Sequence, residues 1–444
     1  LFRSLLALGL FVYQFGFGQS ILSGLVIALL AMIMDRVYAY GMTTTSGGNV
    51  SMRDDSGDIW ITPAKLDKGR LKPESVVHMR SGKATRNDVA SSSEYPFHEA
   101  IYKVRADIKA VLHAHPSALV AFSIVKNVPD THIIPQAAYV CGKVGFAPYA
   151  VPGSSQLGEN IAAAFEEGYN CVLLENHGVV CAGSNLLEAY HRFETLDFCA
   201  RLIIRASTIG TCNSLTDEQL AMFHHNRHFL PVFRPQQRSN RERKLRKFIC
   251  EIVHRAYDQN LMTSTEGVLS ARLDGNSFLI TPTGVDRHYV DVADIVLVRD
   301  GHREEDKVPS RSVLLHKAIY DRHPHVMAII SAQAPNSTAF AVTDAELNSR
   351  CIPESYLVLR DIPRVPYGIQ FGSGDEVAEY LSPERPVVLL QNDAVLATGS
   401  SLLEAYDRLE VAEFTANALL NAIPLGGLVP MDDARIEELL RFFS

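Results

Sequence analysis

Three histidines carry the most chemical information in this chain. Val111-Leu112-His113-Ala114-His115 sets two imidazoles two residues apart in a short apolar run. Side chains two apart leave the same face of a β-strand, so both rings point one way. His177 follows another apolar run, 171–174, and precedes Gly178, where a strand should turn. Three neutral imidazoles with a fourth position open make a catalytic divalent-metal site, most simply zinc. Read alone, His-x-His is as readily a chance pair on a polar strand face.

The chain supplies its own comparison. Leu186-Leu187-Glu188-Ala189-Tyr190 recurs as Leu402-Leu403-Glu404-Ala405-Tyr406, 216 residues on. Ile61-Thr62-Pro63 returns as Ile280-Thr281-Pro282 after 219 residues, and His98-Glu99-Ala100-Ile101-Tyr102 as His316-Lys317-Ala318-Ile319-Tyr320 after 218. Offsets this steady mean a tandem duplication of a unit of about 200 residues, far longer than a solenoid repeat. At these offsets His113, His115 and His177 become Ser331, Gln333 and Asp393, and Glu94 becomes Ser312. Four polar groups lost as a set, within a framework that persists, point to one metal site in the first copy and none in the second.

The elements that must position these residues follow from the pattern. Each copy runs helix, glycine-rich turn, short strands, helix, strand, helix, strand, long helix, which predicts an α/β domain with a covered sheet. Segment 188–205 carries Tyr190, Phe193, Leu196, Phe198 and Leu202 at helical spacing. The expected organisation is an apolar segment 1–20 without an assigned role, a first domain 21–230, a polar Pro-containing linker 231–240 and a second domain 241–444. The opening has one charge, Arg3, before Asp35. Offset 219 lays 244–258 over 25–39, so the distal half of that opening reads as a domain helix and not a membrane span. In the second copy's helix, Arg246, Lys247, Glu251, His254 and Arg255 are expected on the polar face.

Composition narrows the partners. The 50 Asp+Glu outnumber 42 Lys+Arg for a formal charge of −8, which gives no reason to expect nucleic-acid binding. A hydrophobic share of 47% excludes a disordered chain. The seven cysteines are scattered without a CxxC pair, predicting reduced thiols and a cytoplasmic location.

Thr45-Ser46-Gly47-Gly48-Asn49-Val50-Ser51, Ile61-Thr62-Pro63, Ser92-Ser93-Glu94, His113-Ala114-His115-Pro116 and Asn176-His177-Gly178 together resemble, in order and spacing, the class II aldolase/adducin head family. Within that family the motifs resemble the fuculose-1-phosphate aldolase branch. The resemblance covers residues 21–215 and, more weakly, 241–425. It implies tandem three-layer α/β/α domains, each a mixed, largely antiparallel sheet covered by helices, assembled as a homo-oligomer that a dimer of tandem chains would imitate.

The resemblance also implies roles. His113, His115 and His177 would hold Zn2+ or another divalent metal, and Glu94 would be the acid/base. Asn49, Ser92 and Ser93 would bind a substrate phosphate, and Tyr139 would be an auxiliary proton donor. The chemistry is coherent: cleaving a carbon–carbon bond beside a carbonyl leaves an enediolate, which a Lewis-acidic cation stabilises while a carboxylate shuttles the proton. One departure is plain. The family's Thr-Pro-Thr-Gly loop survives as Thr281-Pro282-Thr283-Gly284, but the first copy reads Thr62-Pro63-Ala64-Lys65, where Lys65 would either supply charge instead or point to a carboxylate substrate. The expected function is a metal-dependent aldehyde-lyase acting on a sugar phosphate or related hydroxy-carbonyl compound. A dehydratase or decarboxylase on the same scaffold, or a non-enzymatic adducin-like scaffold, are the alternatives.

Overall fold

The computed structural model describes residues 19–85, 90–225, 230–235 and 237–443. Contacts gather the chain into two compact units, Leu1–Thr131 with Ala137–Arg201, and His132–Gln136 with Leu202–Ser444. Residues 202–230, expected with the first copy, thus group with the second. Of the apolar opening 1–20, only the start of the first helix at Gln19 lies within the described residues.

The first unit opens with α1 (Gln19–Ala39). Leu30, Ile33, Met34 and Val37 fall on one stripe of it and are buried. The helix ends in paired reverse bonds, Gly41 N–H to Tyr38 O and Met42 N–H to Val37 O, with Gly41 at φ +69°. That closure needs a left-handed residue, which glycine adopts without a Cβ penalty. In the second unit Asn260 (φ +59°) plays the same part, bonding Tyr257 O while Leu261 bonds Ala256 O. Among the described residues no helix is long and apolar enough to cross a membrane.

After this turn come β1 (Asn49–Arg53), β2 (Ile59–Ile61), β3 (Val77–Arg80), β4 (Lys83–Ala84), α2 (Tyr95–Val104), β5 (Ala110–Ala114), α3 (Ser117–Ile124), α4 (Pro135–Cys141), β6 (Val144–Ala147), α5 (Ser155–Glu166), β7 (Cys171–Leu174), β8 (Gly178–Gly183) and α6 (Leu186–Ala206). The strands lie in the order β4-β3-β2-β1-β5-β8-β7-β6, antiparallel but for the β6–β7 pair. On one face Ile61, Val111, Val172 and Val180 pack with Phe97 and Ile101 of α2 and Ile161 and Phe165 of α5. The alternate residues Val50, Leu112, Leu173 and Val179 are buried as well, so the sheet is covered on both sides. This is the expected mixed α/β architecture.

The second unit repeats it. Its strands are β9 (Val232–Phe233), β10 (Val268–Arg272), β11 (Ser277–Ile280), β12 (Val296–Arg299), β13 (His302–Glu304), β14 (Ala328–Ala332), β15 (Arg364–Val365), β16 (Val387–Leu390) and β17 (Val395–Gly399), in the order β15-β16-β17-β14-β10-β11-β12-β13-β9. The expected linker is therefore partly sheet: β9 pairs in parallel with β13 at the edge.

A second correction concerns α7 (Asn240–Asp258). Arg246, expected on its polar face, is 1% exposed. Its guanidinium bonds Glu242 Oε1 (2.8 Å), Glu304 Oε2 (2.7 Å) and the Ile295 carbonyl. Helical periodicity sees only its own helix, whereas the carboxylate that permits this burial comes from β13. Arg255, by contrast, is half exposed with its guanidinium 4.8 Å from the Tyr406 ring centre, repeating the 4.2 Å stacking of Arg36 over Tyr190 in the first unit.

Candidate metal centre

Sheet register brings the imidazoles together. Asn49 on β1 lies directly opposite His113 on β5, and His113 opposite Val180 on β8. His115 follows just past the end of β5. The β7–β8 hairpin turns through Asn176, whose φ of +55° suits a residue tolerant of the left-handed region, and this sets His177 beside the other two. Ring centres are 4.7 Å (His113–His115), 4.8 Å (His113–His177) and 5.0 Å (His115–His177) apart. One nitrogen from each ring lies within 4.8 Å of the others.

The rings have the state that a metal ligand requires. The Val179 carbonyl can only accept, so His113 Nδ1–H donates to it over 2.9 Å and Nε2 keeps a free lone pair. The Nε2 atoms of His113 and His115 are buried without a hydrogen-bond partner. Burial holds His113 low, and burial with the neighbouring imidazoles pulls His115 down to about 3, which favours the neutral form a metal ligand needs. Orphaned nitrogens on neutral rings fit a divalent cation. The backbone makes room for them: a Cβ on Gly178 would stand 2.6 Å from both the Ala114 carbonyl and His115 Cδ2, and one on Gly47 would stand 3.0 Å from His115 Nδ1. In the second copy these positions are Ala394 and Glu266, and His115 is replaced by Gln333.

Glu94, at the N-cap of α2, closes the site. Its Oε1 is 3.2 Å from His177 Nε2 and its Oε2 3.3 Å from His113 Nε2. Burial pushes its pKa up, but His113, His177 and the Asn49 amide outweigh it and hold the carboxyl well below the usual range. A directional relay supports it. Asn49 Nδ2 donates to Glu94 Oε2 (2.7 Å), so Oδ1 must face His98 and accept from its Nε2–H. Burial pulls His98 down to about 3, so the ring is neutral and Nδ1 accepts from Ser51 Oγ–H (2.7 Å), which accepts in turn from Tyr102 OH (2.8 Å). The second unit keeps the last three members as His316, Ser270 and Tyr320, at 2.7 and 2.8 Å. Val268 replaces Asn49, and His316 Nε2 is left without a partner.

Lys68 was missed by the sequence reading. It is 2% exposed, its Nζ donates to the Pro63 carbonyl (2.6 Å), and burial pulls it down to about 8 against the opposing charge of Glu94. The available signal was Arg287, a cation 219 residues later and likewise buried. Lys65, the cation singled out instead, is exposed; it occupies the left-handed position (φ +56°) that Gly284 holds in the second unit (φ +69°).

The other expected residues divide. Ser92 is buried and its Oγ accepts from the Glu94 N–H (3.3 Å). Ser93 is exposed. Asn49 has one end of its amide on His98 and one hydrogen on Glu94, leaving the second Nδ2 hydrogen for a ligand. Tyr139 stands on α4 and is 48% exposed.

A second cluster, Asp54, Asp58 and His78, has ligand-like spacing. Its carboxylates are already served: Asp58 Oδ2 accepts from Arg80 (2.8 Å) and His78 (2.9 Å), and Asp54 Oδ2 from Trp60 Nε1 (3.0 Å). It is a salt-bridged hairpin.

Known proteins are similar to this chain in sequence. Residues 28–204 and 247–420 each match the sequence profile of the class II aldolase and adducin N-terminal domain. The chain is 36% identical over 180 residues (39% of this chain, 84% of the relative) to 3-oxo-tetronate 4-phosphate decarboxylase of Haemophilus influenzae. It is 34% identical over 182 residues (40% and 92%) to L-fuculose phosphate aldolase of Methanococcus maripaludis. A solved L-fuculose 1-phosphate aldolase overlays with a TM-score of 0.41 at 30% identity, covering 44% of this chain and 93% of that one.

Proposed function

From the premise that the chain belongs to the class II aldolase and adducin N-terminal domain family, we propose that its first unit is a divalent-metal-dependent lyase that cleaves a phosphorylated hydroxy-carbonyl compound by retro-aldol chemistry. The observation that carries this reading is the convergence of His113, His115 and His177 with Glu94 set against two of them. When bound, the ion supplies Lewis-acid polarisation of the substrate carbonyl. Glu94 takes the proton of the substrate hydroxyl as the carbon–carbon bond breaks. It returns that proton to the carbon that keeps the electron pair, so the carboxylate ends as it began. The relay through Asn49 and His98 keeps Glu94 aimed during both transfers. The phosphate falls to the free hydrogen of Asn49 and to Ser92, with Lys68 supplying charge beneath the loop.

The kinship to a 3-oxo-tetronate 4-phosphate decarboxylase favours a second reading. Loss of CO2 beside a carbonyl leaves the electron pair in the same place, so the same groups would serve. The test is metal analysis of the purified full chain coupled to product analysis. Ketose 1-phosphates should yield dihydroxyacetone phosphate and an aldehyde, whereas a 3-oxo acid phosphate would release CO2. The triple variant H113A/H115A/H177A should bind no stoichiometric metal. If the metal-loaded protein forms neither kind of product, or the triple variant retains its ion, the lyase reading fails.

A further inference from the structure

The second unit has lost the imidazoles, yet the space they would fill has not closed. A cavity of about 80 Å3 persists where Ser331, Gln333 and Asp393 stand in their stead. At the ~10–15 Å3 needed per water centre, it has room for roughly six waters, the bulk of a three- or four-carbon acid or phosphate.

A site that only decays should fill with apolar side chains, because charge withdrawn from water is costly. Here charge has been added. Glu266 stands where the first unit has Gly47, Asp393 where it has His177, and Arg311 where it has Ser93; Arg287 keeps the cation of Lys68. Each is held in place. Arg287 donates to the carbonyls of Gly267 and Val285, both at 2.6 Å. The Arg311 guanidinium lies 3.9 Å from the Phe223 ring centre. Glu266 Oε2 accepts from the Gln333 N–H (2.9 Å), and Asp393 Oδ2 from Gln370 (3.3 Å).

The balance of these groups selects the ligand. Burial, then the charge of Asp393, pushes Glu266 up to about 8, and burial brings Asp393 to about 6. Both carboxyls are raised and so carry less than their full negative charge near pH 7, while they face two guanidiniums, so the balance of the walls is positive. Ser310 and Ser312 flank Arg311, and Thr283 adds a third hydroxyl to the lining. A guanidinium with hydroxyl donors is oxyanion chemistry, while carboxyl and amide groups pair with alcohols.

We propose that this cavity is a metal-free binding site for a small hydroxylated organic anion, with Arg311, Ser310, Ser312 and Thr283 meeting the oxyanion and Glu266, Asp393 and Gln370 meeting the hydroxyl groups. The anionic head is a phosphate or a carboxylate. The proposal is independent of the lyase reading of the first unit.

The test titrates the full chain with glycerol 3-phosphate and, separately, with glycerate, neither of which has the carbonyl that the first unit's chemistry needs. Hydrogen exchange locates the binding, and calorimetry measures it in wild type, Arg311→Met and Ser312→Ala. At least one anion should protect peptides spanning 281–287 and 308–315, and its affinity should fall tenfold or more in Arg311→Met and by a smaller factor in Ser312→Ala. Which anion binds identifies the head group. Absence of protection by both anions at about 10 mM overturns the proposal, as does protection with affinity unchanged in both variants. If Arg311→Met unfolds, Ser312→Ala decides, since its hydroxyl caps no helix and its removal leaves no cavity of consequence.

Discussion

His98 orients the amide of Asn49: the imidazole Nε2–H meets Oδ1, which leaves Nδ2 to donate to Glu94 Oε2 over 2.7 Å. Reversing that amide would turn an acceptor toward the carboxylate. The equivalent histidine in the second unit, His316, keeps its bond to serine, while Val268 stands at the position of Asn49, so the chain contains its own control.

That pairing separates positioning from packing. His98→Leu and His316→Leu remove buried rings at equivalent positions, and both should lower the melting temperature, His98→Leu the more because it also breaks the bond to Asn49. Only His98→Leu should reduce kcat, by roughly 10- to 100-fold as for groups that orient an active-site residue, with metal content unchanged. Equal kcat in the two variants would reduce His98 to a structural role.

Glu94→Ala should still bind metal, because the three imidazoles remain, and lose turnover by about 10²- to 10⁴-fold as expected for a missing acid/base. Metal stoichiometry and kcat measured on one preparation check this. Unchanged turnover would refute the assignment.

Gly178→Ala places a Cβ 2.6 Å from the Ala114 carbonyl and His115 Cδ2. Backbone cannot yield cheaply, so a loss of ~1–3 kcal/mol is expected together with weaker metal retention. Denaturant melts and metal release to a chelator measure the two effects.

Stability at low pH should depend on Arg246. Burial pushes Glu304 up, but Arg246 and Lys307 outweigh it and hold the carboxyl at about 2, below its ordinary 4.5. A depressed carboxyl stabilises the fold above the unfolded pKa, and that contribution drains away as pH falls from about 4.5 to 2. Arg246→Met leaves Glu242 and Glu304 without their buried partner and should cost about 3–5 kcal/mol near neutrality, with a flatter acid limb. A urea melt series from pH 2 to 7 tests both parts.

Much of the site was legible because duplication printed a second copy beside the first. His113, His115, His177 and Glu94 stood out as a set that vanished together, and the structure brings all four within contact. Lys68 and His98 were not singled out, since a lysine in a polar loop and a histidine on an amphipathic helix look ordinary until burial is known. Ser93 and Lys65 were named and prove exposed: adjacency to a motif does not say which way a side chain turns.

The sequence by itself determined the tandem arrangement, the α/β class and the candidate triad of imidazoles, because period, offset and residue type are properties of the chain. Tertiary structure alone decided the direction of the relay from Tyr102 to Glu94, the burial of Arg246 against a strand carboxylate, and the charged cavity where the second triad is missing. Each of these rests on groups tens of residues apart whose hydrogen bonds and desolvation exist only once the sheet has set its register.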